Sequence, residues 1–238
     1  MNLAEFSSLV GFSRHEISHR EIPLSALGGF LGILGIFLVS RWLLGEEFAV
    51  LIVPSMGATA VLLFAAPHAP FSQPWNVIGG HAISALIGVA CWQWIPDQVF
   101  AASASVGLAI GAMYVARCIH PPGGATALVA VIGTEELHQL GYSYEFTPIL
   151  LNAVTILLVA ILFNGLFRWR AYPAHVHRKR SAVEVLPGGY EPIRHEDFVY
   201  ALSQIDTLVD ISEAELLEIY RLATRRHVAQ DNVGSDEI

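Results

Sequence analysis

Apolar residues run along the chain in blocks of about twenty, and the polar positions cluster in the short stretches between them. Residues 24–44, 75–95, 99–116 and 149–167 are each apolar over roughly the length a helix needs to cross a bilayer. Two further blocks are irregular. Residues 48–66 contain Pro54. Residues 121–133 would make only about 20 Å of helix against a hydrocarbon core of about 30 Å.

Proline donates no amide and disfavours helix in the residue before it. The β-branched and aromatic run FAVLIV ahead of Pro54 therefore reads as extended chain leading into a half-helix that starts near Ser55. Pro121-Pro122 marks the same break a second time. The two breaks share a sequence, PSMGATAV at 54–61 and PPGGATAL at 121–128, 67 positions apart. Gln73-Pro74-Trp75 opens the block after the first copy, and Thr147-Pro148-Ile149 opens the block after the second. Each half reads as span, broken span, span, over residues 24–95 and 99–167. Three elements per half is odd, so if all six cross, the second half is inverted relative to the first, an arrangement common in secondary transporters. The alternative is four crossings with two re-entrant loops, which would put Arg117 outside. The expected fold is an all-α membrane protein. Six membrane elements form two inverted three-element repeats with two half-helices, and a short helical cytoplasmic tail follows.

Charge refines this picture. Only 14% of the 238 residues are charged, against about a quarter in soluble domains. Between Ile22 and Phe167 they are Arg41, Glu46, Glu47, Asp97, Arg117, Glu135, Glu136 and Glu145 alone. This separates a cytoplasmic N-terminal segment (1–21), a transmembrane domain (22–170) and a tail (171–238). In the tail, helices are expected near 196–209 and 213–227, the second opened by an S-x-x-E capping box at Ser212 and Glu215. Arg14 and Arg20 precede the first span, and Arg168, Arg170, Arg178, Lys179 and Arg180 follow the last. Both termini are then expected in the cytoplasm of a bacterial inner membrane, with Arg117 on the same side and Glu135, Glu136 and Glu145 in an outer loop. The first twenty residues hold Glu5, Arg14, Glu16 and Arg20 and no apolar core, so no cleavable signal peptide is expected.

No basic nucleic-acid footprint is present, and Cys91 and Cys118 both lie in apolar blocks, as packing residues rather than a disulfide or metal pair. His68 is expected in a solvated loop, and His175 and His177 beside a juxtamembrane basic anchor. With no Asp or Glu expected inside a span, and no H-E-x-x-H, an enzyme is not expected, and no cofactor is implied.

A helix that starts inside a membrane leaves its first amides unpaired and its positive dipole end exposed, and a small anion suits both. The candidate anion-binding residues are Ser55, Met56, Gly57, Ala58 and Thr59 in the first copy. In the second they are His120, Pro122, Gly123, Gly124, Ala125 and Thr126. Glycine allows close backbone approach, and the hydroxyls donate without ionising. The plainer reading of such small residues is close helix packing. Arg117, Asn76, His81 and Asn152 are secondary candidates, Arg117 equally an edge anchor, His120 either a proton carrier or a cap.

The run Ile119-His120-Pro121-Pro122-Gly123-Gly124-Ala125-Thr126-Ala127-Leu128 closely resembles the signature of the HPP family of integral membrane proteins. Residues 54–64 and the stretch SQPWNVIGGHAISALIGV from Ser72 also resemble the family's blocks. The resemblance implies transport, and nitrite as the first candidate, because plant and cyanobacterial members are associated with nitrite movement. The tail is too short for the paired regulatory modules of some relatives, so nucleotide regulation is not implied. An anion channel and a non-transporting structural or sensory subunit are the competing readings. The expected partners are the anion and the bilayer, with a second copy of the chain also a candidate.

Overall fold

A computed structural model describes residues 19–45 and 54–174. The run 48–53, the pair His175 and His177 and both tail helices lie outside the described residues. Among the described residues seven α-helices follow in order: α1 (Glu21–Leu44), α2 (Ser55–Ala65), α3 (Pro74–Trp94), α4 (Gln98–Val115), α5 (Pro121–Ile132), α6 (Glu135–Leu140) and α7 (Leu151–Gly165). A π-helical turn, Glu145–Leu150, runs into α7. Four stretches among the described residues are long and apolar enough to cross a membrane: Glu21–Leu44, Pro74–Trp94, Gln98–Val115 and Glu145–Gly165. The other two apolar helices are short, α2 with 11 residues and α5 with 12.

The starts follow local chemistry. Asp97 caps α4 by accepting from the Phe100 amide at 2.7 Å. Pro74 sits in the first turn of α3, and Pro121 and Pro122 in that of α5, where a missing N–H costs nothing. Two sequence readings need correction. Residues Glu135–Leu140 form a helix rather than plain loop. Glu145, expected in that loop, is buried at the head of the last span. The opening of the helix at Thr147-Pro148-Ile149 is as read: the backbone is extended at Thr147, which makes a kink between the turn begun at Glu145 and the helix that continues into α7.

Packing divides the helices into two groups of three. In one, α1 packs on α2 and α7; in the other, α3, α4 and α5 pack on one another. Each group thus holds two consecutive elements of one half of the chain and the third element of the other. Phe64 of α2 lies over Gly28 and Gly32 of α1, where a Cβ would fall 2.4 and 2.6 Å from its ring. Phe163 of α7 meets the same ring edge-on at 5.9 Å. In the other group, Gly88 of α3 lies against Ala127 and Ala130 of α5.

Hydrogen bonds gather five helix ends at one edge of the molecule. Arg170 bonds Glu21 at the start of α1, Asn164 at the end of α7 and the Phe64 carbonyl at the end of α2. Trp75 at the start of α3 donates to the Ala116 carbonyl just past α4 at 3.2 Å. At the far end of α3, Trp92 stacks on His138 of α6. His68 corrects another reading. It is half-buried at the first edge and donates to the Ala171 carbonyl at 3.2 Å. Nearby, the buried Tyr172 hydroxyl donates to Ser72 at 2.5 Å, and burial raises its pKa above the usual phenol value.

Candidate functional site

The repeated octapeptides are repeated in burial as well as in sequence. Ser55, Met56, Thr59 and Ala60 of the first are buried, and so are Pro122, Gly123, Thr126 and Ala127, which occupy the same places in the second. Spacing of one, four and five residues is one face of a helix. The Gly-Ala pair of each copy lies on the opposite face: Gly57, Ala58 and Ala125 are exposed, Gly124 is half-buried. The two threonines, not the glycines that precede them, point inward.

Between those threonines lie two imidazoles. Thr59 Oγ1 is 2.9 Å from His81 Nε2 and 3.0 Å from His120 Nε2. His81 Nδ1 is 2.8 Å from Thr126 Oγ1, which is 2.9 Å from the Ser55 hydroxyl. The rings meet edge-on, centroids 4.8 Å apart. Both threonines and both histidines are fully buried, and Ser55 is nearly so.

One contact sets the hydrogens. His120 Nδ1 lies 2.8 Å from the Phe71 carbonyl. A carbonyl only accepts, so Nδ1 carries the proton and Nε2 of the neutral ring accepts. Thr59 then donates to His120 and accepts from His81 Nε2–H. His81 Nδ1 accepts from Thr126, which accepts from Ser55. All five groups are satisfied, with every hydroxyl and ring hydrogen pointing the same way along the chain.

Sequence reasoning ranked His81 as secondary, yet it holds the two copies together. Two histidines in apolar segments that also carry threonine were the available signal, but hydropathy does not register a contact across 45 positions. Gly123 does permit close approach, to a helix rather than a ligand: a Cβ there would fall 2.8 Å from both the Gly80 carbonyl and Ser84 Oγ of α3. The dipole argument also needs correction. Pro121 and Pro122 carry no N–H, and Gly123 N already donates to the His120 carbonyl at 2.8 Å. The start of α5 therefore has few free amides to offer an anion.

The remaining candidates lie apart. Asn76 donates to the Ile119 carbonyl at 2.8 Å and so anchors the segment bearing His120. Arg117 is exposed in the turn before that segment, at φ +53°. Asn152 accepts from Ser40 at 3.0 Å, between α1 and α7. Its Nδ2 and the Glu145 Oε2 are buried without a hydrogen-bond partner among the described residues. An apolar cavity of about 670 Å³ opens between α1 and α2, lined by Gly29, Ile33 and Val61 among others, and Gly57 faces it instead of the cluster.

Comparison with known proteins decides the family. The chain matches the HPP transmembrane region over residues 14–173. It belongs to the HPP family. This HPP protein is thus a multi-pass membrane protein. It is 38% identical over 157 residues to a transmembrane protein of Dictyostelium discoideum, covering 64% of this chain and 50% of that one. A second Dictyostelium transmembrane protein is 39% identical over 160 residues, covering 65% and 55%. The HPP chain thus spans about half the length of these relatives. No solved structure matches it.

Proposed function

We propose that this HPP protein transports a small inorganic anion, nitrite first among candidates, across a bacterial inner membrane, and that the anion binds where α2 and α5 begin. One observation carries the reading: five polar side chains, from the two repeated segments, from His120 just before the second and from α3, meet, fully buried or nearly so, inside an apolar membrane domain. Buried polar groups at membrane depth are costly and mark pathways. One further feature supports an inverted pair of half-helices, and another its orientation in the membrane. From the cluster, α2 runs toward the edge that holds the start of α1, whereas α5 runs along α3 toward the other edge. Arg117, Arg168 and Arg170 belong to the first edge, which favours placing it in the cytoplasm. The buried, mutually satisfied cluster favours an occluded carrier over an open channel.

The test is flux in liposomes containing the purified protein, with nitrite and nitrate as probes, measured against protein-free vesicles. Wild-type protein is expected to move at least one of them, and Thr126→Val to slow it about tenfold, the equivalent of roughly 1.4 kcal/mol. If neither anion moves, or Thr126→Val leaves both fluxes unchanged, the reading fails.

A further inference from the structure

Building on that transport reading, we propose that the His81–Thr59–His120 cluster takes up one proton with each anion, which makes the protein a proton–anion symporter. The geometry provides two complete hydrogen-bonding states. In the neutral state, Thr59 donates to His120 Nε2. When a proton from water adds to that nitrogen, His120 becomes an imidazolium and donates to Thr59 instead. The displaced Thr59 hydrogen has an acceptor ready, the Ser55 carbonyl 3.1 Å away. Thr59 Oγ1 then accepts from both imidazoles through its two lone pairs. No donor is left bare, and no other bond forms or breaks. Thr126 has a similar fallback in the Pro122 carbonyl at 3.4 Å.

Charge makes the proton and the anion interdependent. Among the described residues, none of the groups bonded to the two rings is acidic. The titratable side chains nearby are Cys118, packed on Gly79 two residues before His120, and Tyr144, whose hydroxyl lies 3.5 Å from the Thr126 carbonyl. Glu145 follows Tyr144 in the chain, and the charged Arg117 is exposed at the edge. A lone imidazolium buried here lacks a counter-charge. A lone anion finds a helix start with two prolines and an amide already in use. Bound together, each supplies what the other lacks, which is positive coupling between two ligands. The proton leaves from the same nitrogen when the site opens to the other face.

The experiment measures initial nitrite and nitrate uptake by the full-length chain in liposomes, above protein-free vesicles. Potassium and valinomycin set the membrane potential independently of the pH gradient. An outside pH one unit lower is expected to raise uptake several-fold, up to the tenfold change in proton activity, and an inside-positive potential to leave it unchanged. His120→Gln, shown to be folded by size-exclusion chromatography, should lose the response to the pH gradient, and Glu145→Gln should keep it. Uptake driven by potential and indifferent to the pH gradient overturns proton coupling while leaving anion transport standing. Absence of any uptake overturns both. A pH response kept in His120→Gln and lost in Glu145→Gln overturns the assignment to this cluster.

Discussion

Thr59 serves two imidazoles with one oxygen, and this makes it more exposed to substitution than its counterpart Thr126, which meets one imidazole, His81, and the Ser55 hydroxyl. Valine matches threonine in shape but offers no hydroxyl, so Thr59→Val leaves His81 Nε2–H and His120 Nε2 without partners. An unpaired buried polar group costs about 1–3 kcal/mol. Thermal unfolding in detergent should show Thr59→Val well below Thr59→Ser, which keeps the hydroxyl. Equal transitions for the two variants would show that the hydroxyl does not hold the rings. The neighbouring glycines behave oppositely, although they are adjacent in sequence. A Cβ on Gly123 meets backbone and Ser84 at 2.8 Å, whereas one on Gly124 has only Val106 Cγ1 at 3.9 Å. Gly123→Ala should therefore destabilise by about 1–3 kcal/mol through overpacking. Gly124→Ala should stabilise by up to about 1 kcal/mol through helix propensity. The same unfolding measurement separates them, and matching signs would contradict the packing described.

At the scale of elements, the readable part was whatever a local pattern determines. Apolar length marked α1, α3, α4 and the body of α7, and prolines marked the starts of α2 and α5 to within a residue or so. The inward threonines were within reach too, because a helix places residues four apart on one face. Other features depended on distant partners. Arg170 reads as one more juxtamembrane cation, but its guanidinium is buried among Glu21, Asn164 and Phe64, from three different helices or their ends. Glu145 reads as a loop acid because Pro148 follows it, and only packing of the π-helical turn against α3 encloses it. His81 lies on a helix whose apolar face gives no sign that two other segments converge there. Contacts spanning 45, 61 and 149 positions have no periodicity to reveal them.

Across the described residues, the ion pair of Arg170 and Glu21 fastens α1 to the segment that follows α7. Removing one partner of a buried pair strands the other charge. Glu21→Gln leaves the nearly inaccessible Arg170 without its carboxylate and should cost about 3 kcal/mol. Glu21→Asp should recover part of the loss if the side chain still reaches. A shift in unfolding temperature of under a degree for Glu21→Gln would show that the pair contributes nothing net. The change should leave the buried threonine–histidine cluster in place, since the pair lies at the edge of the domain and Thr59, His81, His120 and Thr126 do not bond to it.

The exchange of third helices between the two groups has a consequence for synthesis at the ribosome. The group begun by α1 and α2 has no closing member until α7 emerges, about ninety residues after α2 ends. Meanwhile α3 is already inserted, and beyond its His81–Thr59 bond to α2 its main packing partners, α4 and α5, are still to come. For most of translation, then, the first helices wait unclosed in the bilayer, with Phe64 and the Gly28–Gly32 groove lacking Phe163. A cut in the short link between α3 and α4 therefore should not yield two self-sufficient halves. Segments 1–96 and 97–238, expressed separately, should be degraded, and expressed together they should assemble into a complex that purifies as one species. Stable accumulation of either segment alone would mean that each half completes its own packing.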